Sequence, residues 1–226
     1  MNVLEHLEPK SVFRFFEEMC AIPHGSRNTK AVSDWCADFA RARGLEYHQD
    51  GDNNIIIIKE AAPGYEAAPP VILQGHLDMV CEQTADCQKD MSREGLDLAV
   101  DGDFVYAKGT TLGGDDGIAV AMALALLDAE GLPHPRLEAV FTVDEEIGLL
   151  GAASIDVTPL KGRQMLNLDS EAEGIFTVSC AGGNTSACLL PLTRAPFDGA
   201  GVTVAVGGLT GGHSGAEIHK GRANAN

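Results

Sequence analysis

Four clusters of acidic or imidazole side chains stand where short apolar runs end or where a helical run begins. That placement narrows the fold more than any other feature of the chain. Val71-Ile72-Leu73 leads into Gln74-Gly75-His76-Leu77-Asp78, and Leu137 to Val143 leads into Asp144-Glu145-Glu146. Met165 to Leu168 leads into Asp169, and Gly113-Gly114-Asp115-Asp116 opens an Ala- and Leu-rich run from Ile118 to Ala129. In open α/β sheets, ligand sites collect beyond the carboxyl ends of strands. Taken singly, each cluster has an ordinary explanation. Asp115-Asp116 can cap the following helix, Glu145-Glu146 can be a solvated turn, and Asp169 can start an Asx-turn. Recurrence at successive strand ends favours one shared site.

The rest of the pattern agrees with helices layered on a sheet. Ser11 to Ile22 has one apolar face through Val12, Phe13, Phe16 and Met19 or Cys20, the spacing of an amphipathic helix, and Pro23 ends it. A second helix is expected from Thr29 to Arg43, stopped by Gly44. His24-Gly25-Ser26 between them reads as a polar loop, with His24 a loop histidine of no special role. Strands are expected at Leu45–His48 and Ile55–Ile58 around an Asp50-Gly51-Asp52-Asn53-Asn54 turn. Met79 to Asp103 reads as an irregular loop, followed by a short strand at Phe104–Ala107. Ile147 to Ser154 reads as a short helix or turn. Beyond Asp169, strands are expected at Ile175–Ser179, Ala187–Leu190 and Val202–Val206. The rhythm changes near Ala181-Gly182-Gly183, which sets the expected boundary between a first domain, 1–182, and the start of a second, 183–226.

Charge excludes some functions. Thirty-three acidic residues against 16 basic ones give a formal charge of −17, the wrong sign for a nucleic-acid footprint or an anionic membrane surface. The longest apolar run, Ile118 to Leu127, is far shorter than the ~20 residues of a spanning helix. The first ten residues carry Glu5 and Glu8 and have no apolar core of a secretion signal. A soluble, cytoplasmic protein is expected. The six cysteines include no Cys-x-x-Cys pair, and reduced thiols are the default reading.

Chemistry explains the residue types at the strand ends. Residues i and i+2 of an extended chain face the same side, so Asp78 can reach the His76 ring and set its tautomer, as behind a metal-binding histidine. Crowded carboxylates repel unless a cation neutralises them. One histidine with carboxylates suits Zn²⁺, with Mn²⁺ and Co²⁺ as alternatives. Of two adjacent glutamates, one can bind metal while the other serves as a general base. A carboxylate such as Asp115 can bridge two ions about 3.5–4 Å apart.

Several stretches, in order along the chain, resemble a known family: Cys20-Ala21-Ile22-Pro23-His24, Leu73 to Val80, Gly109 to Ile118, Asp144-Glu145-Glu146, Asn167 to Glu171, Cys180 to Gly183 and Gly211-Gly212-His213-Ser214-Gly215. The sequence resembles the co-catalytic zinc metallopeptidases that include aminoacylase, carboxypeptidase G and the dipeptidases, and most of all their aminoacyl-histidine dipeptidase (peptidase D, carnosinase-like) branch. The resemblance implies an α/β fold with a zinc-aminopeptidase-like mixed central sheet flanked by helices, followed by the start of an α+β lid or dimerisation domain. It implies two zinc ions per complete protomer: His76 and Asp169 on one, Glu146 on the other, Asp115 bridging, and Asp78 orienting His76. Glu145 would be the general base for a zinc-bridged water and would then protonate the leaving amine. The Asp115–Asp116 peptide would be cis. His213, in the lid, would reach a partner subunit's site and stabilise the oxyanion, which makes a homodimer the expected assembly. The implied activity is hydrolysis of small peptides, Xaa-His dipeptides among them.

The resemblance also carries a departure. The family's second zinc takes a terminal histidine from a later stretch that these 226 residues do not contain. The chain is therefore expected to be a fragment or a truncated product, lacking the last strands of the catalytic domain and most of the lid. Two other readings follow: a non-catalytic metal-binding or interaction remnant, and an N-acyl amino acid amidohydrolase of the same fold.

Overall fold

The structure, a computed structural model, describes residues 3–170, 174–179, 186–211 and 218–222. The chain divides into two compact units, Met1–Glu171 and Ala172–Asn226.

The first unit is built on a run that cannot face water. Ile55 to Ile58 are all at most 2% exposed. They form β2 (Ile55–Lys59), which pairs antiparallel with β1 (Glu46–Gln49) on one side and β6 (Leu137–Thr142) on the other. Because side chains alternate along a strand, Ile55 and Ile57 join one apolar core while Ile56 and Ile58 join a second, with Ile72 and Val140. Both faces of the sheet are thus covered. Each buried isoleucine contributes roughly 1.5–3 kcal/mol.

The larger core lies under three helices. α1 (Lys10–Cys20) buries Val12, Phe15, Phe16, Met19 and Cys20, and α2 (Lys30–Ala42) buries Val32, Cys36, Phe39 and Ala40. α2 ends where Gly44 takes φ +65°, a conformation glycine adopts without penalty. α3 (Gly114–Asp128) is Ala-rich and packs between α1 and the sheet. A Cβ on Gly117 would stand 3.2 Å from the Phe16 ring, so the small residue lets the two helices approach. The second face is closed by Ile155 and Leu160, after the short α4 (Leu150–Ser154).

The five-stranded sheet runs β1-β2-β6-β3-β7, with β3 (Val71–His76) and β7 (Gln164–Asn167). β3 is parallel to both β6 and β7. The sheet is therefore mixed, as expected. Its register positions the site: His76 pairs with Thr142, and Gln74 pairs with Asn167. The chain leaving β6 toward Glu145, and Asp169 two residues past Asn167, consequently emerge at the same edge as His76.

Residues 79–97 are irregular, as expected, but the reading is corrected at 98–101, which form a strand. β4 (Leu98–Asp101) and β5 (Phe104–Ala107) form an antiparallel hairpin of their own. Its two-residue loop is Gly102-Asp103, with Gly102 at φ +57°.

In the second unit, the described residues contain no strand, and a single 3-10 turn at Ile218–Lys220. The strands expected at Ile175–Ser179, Ala187–Leu190 and Val202–Val206 are not formed among them. Phe176, Val178, Leu189, Val202 and Val204 are 91%, 95%, 94%, 88% and 87% exposed. Alternating apolar residues mark a face fit for burial, but a strand needs a neighbouring ladder to satisfy its backbone. Among the described residues, no helix is long and apolar enough to cross a membrane.

One buried charge pair ties β6 to the segment before β7. Glu138, fully buried on β6, accepts Arg136 Nε at 2.7 Å, Lys161 N–H at 2.9 Å and Gly162 N–H at 2.9 Å. Arg136 also pairs with Glu60. Burial alone would raise the Glu138 pKa, but Arg136 and the two backbone N–H groups hold it below its ordinary 4.5. A depressed folded pKa gives stability that is present above the unfolded value and lost as pH falls through the folded one. Glu138→Gln is expected to cost roughly 1–3 kcal/mol near neutrality. Urea titrations should show the gap between parent and variant narrowing as pH falls from about 7 to about 3; a gap independent of pH would contradict the assignment.

Candidate metal centre

The site begins with His76, the last residue of β3 and only 1% exposed. Its Nδ1 lies 2.9 Å from the Asp78 main-chain carbonyl and 3.5 Å from Asp78 Oδ1. The carbonyl is therefore the nearer acceptor for a proton on Nδ1. Nε2 faces the cluster, 3.2 Å from Asp115 Oδ1 and 4.0 Å from Glu145 Oε2.

Asp78 is as buried as the histidine, at 1% exposed. Its Oδ1 accepts the Glu145 N–H at 3.0 Å, and its Oδ2 accepts the Ser26 hydroxyl at 2.8 Å and the Glu146 N–H at 3.4 Å. Burial would raise its pKa. The His76 ring, the Glu145 N–H and the Ser26 hydroxyl reverse that and keep it ionised.

The Glu145-Glu146 turn is shaped by its backbone. Asp144 and Leu149 take φ of 54° and 60°, and the N–H groups of Gly148 and Leu149 close on the Glu145 carbonyl. Asn54, 1% exposed, accepts the Val143 N–H at 3.1 Å through its side chain and fixes where β6 leaves the sheet.

Asp115 and Asp116 enter from the start of α3. Both depart from helical φ/ψ, and the peptide between them is cis, as the resemblance implied. The two side chains part there. Asp115 stays 60% exposed, while Asp116 turns inward to 2%. Asp116 Oδ2 accepts the His76 N–H at 3.3 Å. A Cβ on Gly75 would stand 2.7 Å from that oxygen, so glycine beside the histidine makes room for the carboxylate.

Two donor groups result, each with ligand atoms within 4.8 Å of one another: His76, Asp116 and Asp169, and His76, Asp115 and Glu146. The four sequence-predicted ligands are divided between the two groups, Asp115 and Glu146 in one and Asp169, beside Asp116, in the other, with His76 common to both. Glu145 stands at the rim and Asp78 lies behind His76. His213 lies outside the described residues. Sequence reasoning passed over Asp116, Ser26 and Asn54. The doubled aspartate was a signal for Asp116, although nothing in it says which of the two turns inward. His24 is a buried loop residue, with Nδ1 2.6 Å from the Ile22 carbonyl.

The electrostatics suit a cation. Burial raises the Asp116 pKa to about 8, opposed by His76 and reinforced by Asp169 and Asp115. Burial also raises Glu145 and Glu146, with the neighbouring carboxylates adding to it. For His76, burial favours the neutral ring, but Asp78, Asp116 and Asp169 outweigh it and lift the pKa to about 10. A proton on the imidazole offsets part of the carboxylate charge. A divalent cation would offset more of it, and one nitrogen with several carboxylate oxygens is a donor set for Zn²⁺, Mn²⁺ or Co²⁺.

Comparison with known proteins bears on the same residues. The model of peptidase family M20/M25/M40 matches residues 72–186. The whole chain is 39% identical to the cytosol non-specific dipeptidase of Escherichia coli (strain K12), of which it spans 47%. The crystal structure of aminoacylhistidine dipeptidase from Vibrio alginolyticus superposes on 76% of this chain and 35% of its own, with 38% identity and a TM-score of 0.73. A tripeptidase from Staphylococcus aureus shares the fold at 22% identity and a TM-score of 0.59, covering 72% of this chain and 44% of that one. The chain spans about half the length of the curated relative.

Asp78→Asn replaces one acceptor oxygen with a donor amide, which then faces N–H or O–H groups. It should weaken zinc binding about 10–100-fold, read by competition with a chromophoric chelator. Unchanged affinity would remove Asp78 from the site.

Proposed function

Because the chain belongs to peptidase family M20/M25/M40, we propose that it carries the metal-binding part of a cytoplasmic dipeptidase that hydrolyses small unblocked peptides, Xaa-His dipeptides among them. The observation that carries this reading is the convergence of His76, Asp115, Glu146 and Asp169 at one sheet edge, with Glu145 beside them. The similarity to proteins named cytosol non-specific dipeptidase and aminoacylhistidine dipeptidase supports the substrate class.

In this proposal His76 and Asp169 would hold one zinc and Glu146 a second, with Asp115 as a ligand shared by both. What zinc supplies when bound is Lewis acidity toward the peptide carbonyl and toward water. Asp78 keeps the His76 ring oriented. Glu145 is the proton carrier, and its raised pKa suits it to that task. It takes a proton from the attacking water as the new C–O bond forms. It then gives that proton to the leaving amine nitrogen as the C–N bond breaks. Residues 183–226 belong to the lid in this reading, with His213 serving the oxyanion of a partner subunit in a homodimer.

Zinc content together with a substrate panel tests the proposal. Turnover of Xaa-His and other dipeptides supports it. Turnover confined to N-acetyl amino acids would shift the reading to an amidohydrolase, and zinc binding without any turnover would leave a metal-binding module. Glu145→Ala should keep its zinc and lose about 10²-fold or more in kcat. Full activity in that variant would overturn the assigned base.

A further inference from the structure

We propose that Ser26 is a positioning residue of the metal centre: its hydroxyl locks the Asp78 carboxylate, and through it both His76 and the Glu145-Glu146 turn.

The His24-Gly25-Ser26 loop is built into the sheet edge. The Met79 N–H donates to the His24 carbonyl at 3.2 Å, and the Ser26 N–H donates to the Met79 carbonyl at 3.3 Å. Gly25 and Met79 thereby form a parallel bridge. A Cβ on Gly25 would meet Cys81 Sγ at 2.5 Å, so glycine lets the loop seat this close without displacing the Cys81 side chain. Arg27 then turns with φ +67°, and its N–H donates to Asp144 Oδ1 at 2.6 Å. The loop holds the base-bearing turn at Asp144 and reaches beneath it to Asp78.

The hydroxyl matters because of what else Asp78 Oδ2 has. Its other hydrogen bond, to the Glu146 N–H, is long at 3.4 Å. Without Ser26 Oγ at 2.8 Å, that oxygen keeps only a weak partner in a position 1% exposed, where water cannot readily replace the donor. The carboxylate then keeps the Glu145 N–H on Oδ1 but loses its short anchor on Oδ2, and so rotates more readily about its terminal torsion, which is broad for aspartate. Rotation moves Oδ1 away from the Glu145 N–H and from His76 Nδ1 together. A partner one step behind a metal ligand's own partner should matter through geometry, within the 10–100-fold range seen for outer groups of metal sites.

The inference rests on the cation-site reading, and the experiment separates the two. Zinc affinity is measured by chelator competition for the full chain and for His76→Ala, Ser26→Ala and Ser26→Thr, alongside each thermal midpoint. His76→Ala should abolish tight binding; if it binds as the parent does, the cation-site reading fails. With that control in place, Ser26→Ala should bind about tenfold more weakly, and Ser26→Thr, which keeps the hydroxyl, should return to within about threefold of the parent. Affinity unchanged in Ser26→Ala overturns the proposal. So does equal weakening in the Thr variant, which would mark a packing role. If Ser26→Ala does not fold, the Thr variant decides: parent-like affinity supports the hydroxyl role and weakened affinity overturns it.

Discussion

The structure depends on the parallel register of three neighbouring strands. β3 lies between β6 and β7, and their backbone pairing sets how far each has run when it leaves the sheet. His76, Glu145, Glu146 and Asp169 are distant in sequence, yet they need no long-range docking to meet. Pairing His76 with Thr142 and Gln74 with Asn167 delivers them to one edge. A slip of one residue would turn each side chain to the opposite face.

Gathering this much negative charge works against folding. The molecule limits that cost with donors already in place. Asp78 is surrounded by two N–H groups, a hydroxyl and an imidazole, and the His76 proton offsets part of the remainder. Glu138 shows the same device away from the site, where an arginine and two backbone N–H groups neutralise a fully buried carboxylate. The difference is that Glu138 is fully buried, whereas Asp115 is exposed and Glu145 and Glu146 are partly so. Saturated carboxylates build the frame, and unsaturated ones leave room for chemistry.

Much of this was legible in the residues. Four consecutive isoleucines, the periodicity of α1 and α2, and the strand-end clusters announce a layered sheet with one polar edge. What was not legible depends on backbone geometry that side-chain types do not report. Asp115 and Asp116 are the same residue twice, and residue type alone does not report that Asp116 is the buried one. Ser26 looks like any loop serine until Gly25 is seen pairing with Met79. The second strand of the β4–β5 hairpin is legible, but the first is not, although Gly102-Asp103 is a two-residue hairpin loop, because each strand is only four residues long. The segments from 175 to 206 carry strand-like alternation, but alternation states which face is apolar and says nothing of what will pair with it.

The edge position of β7 has a consequence for how the site comes together. Among the described residues, β6 is held by ladders on both sides, whereas β7 is joined to β3 alone, over four exposed residues. Its side-chain support is the Asn167 amide on Gln74. Peeling away β7 breaks one ladder, so its local opening free energy should lie well below that of the central strands. Asp169 lies two residues past the end of this edge strand. A cation held by Asp169 would add one more tie to the chain leaving β7, so occupancy of the site should raise the protection of the β7 backbone from exchange with solvent.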